Sequence, residues 1–75
     1  MKYSLLSAKE IGKRLHELRG DTPREDLAKA IGVSVSAISM YENGERIPRD
    51  AVKVKIAEFY KMTVQEIFFD SKCHT

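Results

Sequence analysis

A chain of 75 residues holds one domain at most, and at that size only about 60% of the unfolded surface is buried, so the core is modest. Thirteen Lys and Arg against eleven Asp and Glu leave a net charge of +2, too slight a bias to name a partner. Cys73 is the single cysteine, which excludes an internal disulfide and fits a reducing cytosol. The apolar runs fall short of the ~20 residues that a membrane span needs, and Met1–Leu6 is too short and polar for a secretion signal. A cytoplasmic protein with no membrane partner is expected.

Met1–Leu6 reads as an extended arm or frayed end. Ser7-Ala8-Lys9-Glu10 fits a capping box and opens a first helix with Ile11, Leu15 and Leu18 on one face. Gly12 inside it costs about 1 kcal/mol against Ala, so it belongs where a neighbouring backbone packs close. Lys9, Lys13, Arg14 and His16 lie on the polar side, and Gly20-Asp21 ends the helix. Thr22-Pro23-Arg24-Glu25 is a second start signal: Thr22 as N-cap, Pro23 at the first helical position, Glu25 completing a capping box.

The second helix buries Leu27, Ala28 and Ile31. Gly32 stops it, since glycine takes the left-handed conformation without steric cost, and Ser34 caps a third helix. That helix buries Ile38 and Tyr41. Its other face is Val35, Ser36, Ser39, Met40 and Asn43, with no charge among them, where a face that only met water would more often carry Lys or Glu. Asn43-Gly44 is the stop. Glu45–Arg49 is a loop with Arg46 and Arg49 around Pro48. Asp50 is expected to cap a fourth helix. The run VKVKI alternates as a strand would, but Ala51, Val52, Ile56, Phe59 and Tyr60 share one face at helical spacing, which favours helix. Thr63-Val64-Gln65-Glu66 is a third capping box, opening a short last helix with Val64, Ile67 and Phe68. Asp70–Thr75 reads as frayed. The expectation is one domain over residues 1–70 with a tail at 71–75, all-α with five helices.

Residues that could carry catalysis are sparse. His16 and His74 are far apart, and Cys73-His74 offers two ligands where zinc wants four. No spacing suggests a nucleophile elbow or triad. Glu25-Asp26 begins a helix, where the dipole favours acids. No glycine-rich phosphate loop is present. No enzyme, metal, cofactor or small-molecule ligand is expected. The charge is uneven along the chain: residues 1–49 carry nine basic and seven acidic side chains, residues 50–75 four of each. The basic excess therefore lies in the half with the second and third helices.

Two short helices joined by a tight turn containing Gly form a helix-turn-helix unit. The sequence RxDLAKAIGVSxSAISxYENGxRxP, from Arg24 to Pro48, resembles the Xre/Cro/C1 class of helix-turn-helix proteins, with weaker resemblance over Ile11–Phe69. The segment IPRDAVKVKIAEFYKMTVQEIFF resembles the repressor-like branch found in phage and mobile-element regulators. The resemblance implies a lambda-repressor-like domain that binds double-stranded operator DNA and regulates transcription, as a repressor. By position it assigns base contact to Val35, Ser36 and Met40, with Ser34 and Ser39 at the margin, where many members carry Gln or Arg. It assigns phosphate contact to Arg24 at the start of the second helix and to Asn43, Arg46 and Arg49 beyond the third. Arg24 paired with Asp21, and Arg49 as a solvated charge near Asp50, are the plainer alternatives. The resemblance also implies a structural pair between Arg19 and Glu42. A homodimer is expected because one module reads few base pairs, with Phe69, Tyr60 and Met62 as candidate contacts unless they only close the core. An antitoxin of a toxin–antitoxin pair, or an interaction module that has lost DNA binding, would use the same fold.

Overall fold

A computed structural model of the chain describes residues 4–70. Five helices run in order: α1 (Ala8–Arg19), α2 (Arg24–Ile31), α3 (Val35–Glu42), α4 (Asp50–Tyr60) and α5 (Val64–Phe68). Two-residue strands β1 (Ser4–Leu5) and β2 (Phe69–Asp70) close the ends against each other, antiparallel, with Ser4 opposite Asp70 and Leu5 opposite Phe69. The fold is the expected all-helical one, with this small clasp added. The clasp decides for the extended arm at the amino end and corrects the reading of Asp70 as frayed: Ser4 pairs with Asp70, and Leu6 donates its N–H to the Phe68 carbonyl at 3.0 Å and is itself in the core. The rest of the expected frayed ends, 1–3 and 71–75, lies outside the described residues.

Local chemistry explains where most helices begin. Ser7 and Thr63 each form a capping box: Ser7 Oγ accepts from the Glu10 amide at 3.2 Å, and Thr63 Oγ1 accepts from the Glu66 amide at 3.1 Å. Two caps differ from expectation. At α2 the N-cap is Pro23 with no side-chain bond; the Thr22 carbonyl instead accepts from Arg19 Nη1 at 2.9 Å, which holds Thr22 outside the helix. At α4 the N-cap is Arg49, also without a side-chain bond. Asp50 is one residue inside, where its charge suits the helix dipole and accepts from Lys53 Nζ at 3.4 Å.

The core gathers Leu6, Ile11, Leu15, Leu27, Ala28, Ile31, Ile38, Tyr41, Ile56, Ala57, Ile67 and Phe68. VKVKI is helical, as the face reading required. That face is narrower than expected: Ile56 and Ala57 are buried, Val52 and Tyr60 half-buried, and Ala51 and Phe59 exposed. Tyr60, Met62 and Phe69 pack against the core edge. The exposed large apolar side chains are instead Leu5, Val35, Ile47, Val54 and Phe59.

The contact that sets the frame is α1 on α3. Gly12 lies so close to the last turn of α3 that a Cβ there would be 2.5 Å from the Glu42 carbonyl oxygen and 2.6 Å from that of Tyr41. The lost helix propensity of this glycine is thereby explained: only a bare α-carbon lets the two backbones meet. Gly12→Ala should push the helices apart and destabilise the fold by about 1–3 kcal/mol, lowering the thermal midpoint by roughly 4–24 °C. Gly32→Ala is the control. Its site has nothing within 4 Å and resists only through φ of +78°, at a cost of roughly 1–2 kcal/mol. A Gly12→Ala variant as stable as the parent in calorimetry would refute close α1–α3 approach as the reason for Gly12.

Candidate nucleic-acid interface

The turn between α2 and α3 is built as the sequence suggests. Gly32 adopts φ 78°, ψ 34° and donates its N–H to the Ala28 carbonyl at 2.8 Å; Val33 donates to the same oxygen at 3.0 Å. Ser34 then caps α3, its Oγ accepting from the Ala37 amide at 3.0 Å. Ile38 and Tyr41, 2% and 6% exposed, fix the rotation of α3 about its axis. Ser34, Val35 and Ser36 are consequently left exposed at its amino end, and Ser39 and Met40 half-buried beyond them. Ser36 and Met40 are one turn apart and share a face. Asn43, the C-cap of α3, is exposed.

Beyond α3 the loop is pinned by Pro48, which is fully buried. Arg46 and Arg49 on either side are exposed, and among the described residues no carboxylate lies within ion-pair distance of either. They line an open cleft of about 550 Å³ with Gly32, Val33, Tyr41, Ile47 and Val52. The guanidiniums thus border the turn of the helix-turn-helix.

Arg24 does not make the alternative pair with Asp21. It reaches instead the carboxylate of Glu42, with Nη2 at 3.2 Å and Nε at 3.4 Å from Oε1, while 40% of its side chain stays exposed. Glu42 is the last residue of α3 and its side chain is 3% exposed. The expected Arg19 partner is present: Arg19 Nε donates to Oε2 at 2.6 Å and Nη2 to Oε1 at 3.1 Å. His16 Nδ1 is 3.4 Å from the same Oε1. One buried carboxylate therefore joins α1, α2 and α3. The sequence reading missed the parts of Arg24 and His16. The spacing of His16 and Arg19, one turn apart, puts both on one α1 face and was the available signal.

Burial alone would raise the Glu42 carboxyl, but hydrogen bonds from Arg19, His16 and Arg24 more than offset it and hold it below the ordinary carboxylate value. The hydrogen bond to Glu42 raises Arg19 in turn, against the effect of burial. Burial also pushes the Tyr60 phenol up, and the Glu42 charge adds to that; its oxygen is buried with no hydrogen-bond partner among the described residues. Arg14, also on α1, lies elsewhere, donating to the Glu66 carbonyl at 2.8 Å. Among the described residues no group of three or more His, Cys, Asp or Glu could hold a metal, and no helix is long and apolar enough to cross a membrane.

A carboxyl lowered in the folded state contributes stability that is present above its unfolded value, near 4.5, and lost as pH falls through the folded value. Glu42→Gln should cost roughly 3–5 kcal/mol at neutral pH, because Arg19 keeps a buried charge without its partner. It should also flatten the fall in stability below about pH 4.5. Denaturant titrations at neutral and acid pH would check both. An unchanged acid limb in the variant would show that other carboxyls set it.

Residues 13–67 match the helix-turn-helix family model HTH_3. Three solved structures are similar. The restriction-modification controller protein C.AhdI from Aeromonas hydrophila is 28% identical, with a TM-score of 0.74 over 81% of this chain and 96% of that one. The SOS-response transcriptional repressor LexA from Eubacterium rectale is 20% identical, with a TM-score of 0.80 over 92% and 76%. The clp gene regulator ClgR from Corynebacterium glutamicum is 22% identical, with a TM-score of 0.74 over 83% and 68%. No curated protein sequence matches the chain.

Proposed function

The chain belongs to the Xre/Cro/C1-type helix-turn-helix family of DNA-binding transcriptional regulators, and we propose that it is a repressor of phage or mobile-element type, acting in the cytoplasm by occupying an operator. The observation that carries this reading is the amino-terminal face of α3. It is exposed and uncharged, its rotation fixed by Ile38 and Tyr41, with unpaired guanidiniums at Arg46 and Arg49 next to the turn. A helix fits the major groove, where base edges are distinguishable, and phosphate contacts supply the affinity that does not depend on sequence. In this reading Ser34, Val35, Ser36, Ser39 and Met40 meet bases, and Arg24, Asn43, Arg46 and Arg49 meet phosphates. Ser36 donates or accepts, while Val35 and Met40 pack on thymine methyls. No step of catalysis is involved. Residues 1–70 are the working unit, with 71–75 as a tail.

Two copies bind a two-fold operator in this proposal. The side chains free for that contact are Val54 and Phe59 on α4, in place of Tyr60, Met62 and Phe69, which the core takes up. Phe59→Asp should give a folded monomer by sedimentation with weakened operator binding. A parent protein that is monomeric at high concentration would end the idea. The likeness to a restriction-modification controller over most of that protein's length favours a second reading, control of restriction and methylation genes. Promoters recovered by crosslinking would separate the two.

Random-site selection tests base readout. The parent should enrich a two-fold-symmetric consensus, and Met40→Gln should change the preferred base at one position of each half-site by about 1–3 kcal/mol, as a bidentate amide on adenine would. Salt dependence should stay as in the parent. Identical consensus sequences for parent and variant would remove Met40 from the reading face; no enrichment by the parent would leave an interaction module.

A further inference from the structure

Glu42 Oε1 is crowded. Four nitrogens approach it: Arg19 Nη2 at 3.1 Å, Arg24 Nη2 at 3.2 Å, Arg24 Nε at 3.4 Å and His16 Nδ1 at 3.4 Å. A carboxylate oxygen has two lone pairs, so the donors compete. Arg19 is the fixed member: its side chain is 12% exposed, it holds Oε2 as well, and it donates to the Thr22 carbonyl. Arg24 and His16, 40% and 64% exposed, are the two that solvent can receive.

The role of His16 depends on its charge. Neutral, its Nδ1 can accept from Arg19 Nη2 at 3.5 Å. Protonated, both ring nitrogens are donors, and the acid that Nδ1 faces is Glu42. The charged and titratable groups at this junction are His16 and Arg19 on α1, Arg24 on α2, Glu42 on α3, and the Tyr60 phenol on α4, which senses the Glu42 and Arg19 charges. Two guanidiniums already face one carboxylate, and a protonated imidazole makes three cations. Of the two guanidiniums Arg24 is the more exposed, at 40% against 12% for Arg19.

We propose that His16 is a positioning residue for DNA binding: protonated, it takes Glu42 Oε1 and frees Arg24 for a backbone phosphate. This rests on the DNA-binding reading above. Binding strengthens as pH falls through the range in which imidazoles charge, and by linkage the bound duplex favours the protonated ring.

The test has two parts. The first uses the free protein. The Arg24 Nε–H signal in NMR should move with the His16 titration in the parent, and stay still over the same range in His16→Gln. The second measures binding to a random-sequence duplex by fluorescence anisotropy, at constant ionic strength, from about pH 8 to about pH 5.5. The proteins are the parent, His16→Gln, Arg24→Gln and the double variant. The parent should tighten about fivefold more than His16→Gln, at the low end of site–site coupling. His74 is common to all four proteins and cancels. In the Arg24→Gln background, replacing His16 should make no difference to the pH profile. Parallel profiles for parent and His16→Gln would overturn the proposal, as would an Arg24 signal that ignores His16. A His16 effect undiminished without Arg24 would also overturn it, because it would report only the general attraction of a cation to DNA. If the parent shows no salt-dependent binding at either pH, the DNA reading itself fails, whatever the NMR result.

Discussion

The arrangement of the first three helices depends on one carboxylate placed where a carboxylate is costly. Glu42 is at the carboxyl end of α3, facing the negative end of the helix dipole, and its side chain is 3% exposed. A buried charge is tolerated only when paired and hydrogen-bonded. Arg19 meets this demand with two donors, Arg24 adds a second guanidinium, and His16 a third contact. Each comes from the end of a helix that must be correctly placed to reach it. The same residue's carbonyl oxygen is one of the two backbone atoms that exclude a side chain at Gly12. Side chain and main chain of Glu42 therefore both fix α3, one by charge and the other by close approach.

The exposed face of α3 follows from that fixation rather than from its own propensity. The helix spans eight residues, well below the length at which an isolated helix holds in water, about 12–15 residues. Its stability is tertiary: Ile38 and Tyr41 in the core, Ser34 at the start and Glu42 at the end. Rotation about the axis is settled by the two core residues, so Ser36 and Met40 have no freedom to choose a face. Pro48 does for the following loop what Ile38 does for the helix, and it leaves Arg46 and Arg49 outside.

What the sequence made legible was mostly local. A capping box links residues three apart, and those at Ser7 and Thr63 are present as read. The turn at Gly32-Val33-Ser34 and the core pair Ile38 and Tyr41 are likewise short-range patterns. Not every local signal held: Thr22 has the residue type of a cap, but Pro23 is the N-cap of α2, without a side-chain bond. Arg24 and Glu42 are 18 positions apart, and nothing in spacing or periodicity joins them. The clasp of Ser4–Leu5 on Phe69–Asp70 pairs the two ends of the fold through segments too short to show a strand period. Ala51 and Phe59 were assigned to the buried face of α4 by helical spacing. A small core covers a narrower stripe than the apolar residues present, so both remain at its margin.

The two guanidiniums at Glu42, those of Arg19 and Arg24, have no other acid in reach among the described residues, and this bears on how a weakly basic protein holds DNA. Counterion release scales with the number of phosphates neutralised, and a net charge of +2 offers little in the aggregate. Position matters more than total. Arg46 and Arg49 stand free beside the turn, while Arg24 is held by a carboxylate that it shares. In the proposed complex the fixed cations give the affinity common to all sequences, and Arg24 adds to it only when Glu42 is satisfied by another donor. Discrimination then falls to Ser36, Val35 and Met40. These lack the bidentate fork of Arg or the amide of Gln, so each half-site is read through methyl contact and DNA shape more than through paired hydrogen bonds. In this proposal a face with so few hydrogen bonds gains specificity by being used twice, which is the physical argument for placing two copies on one operator.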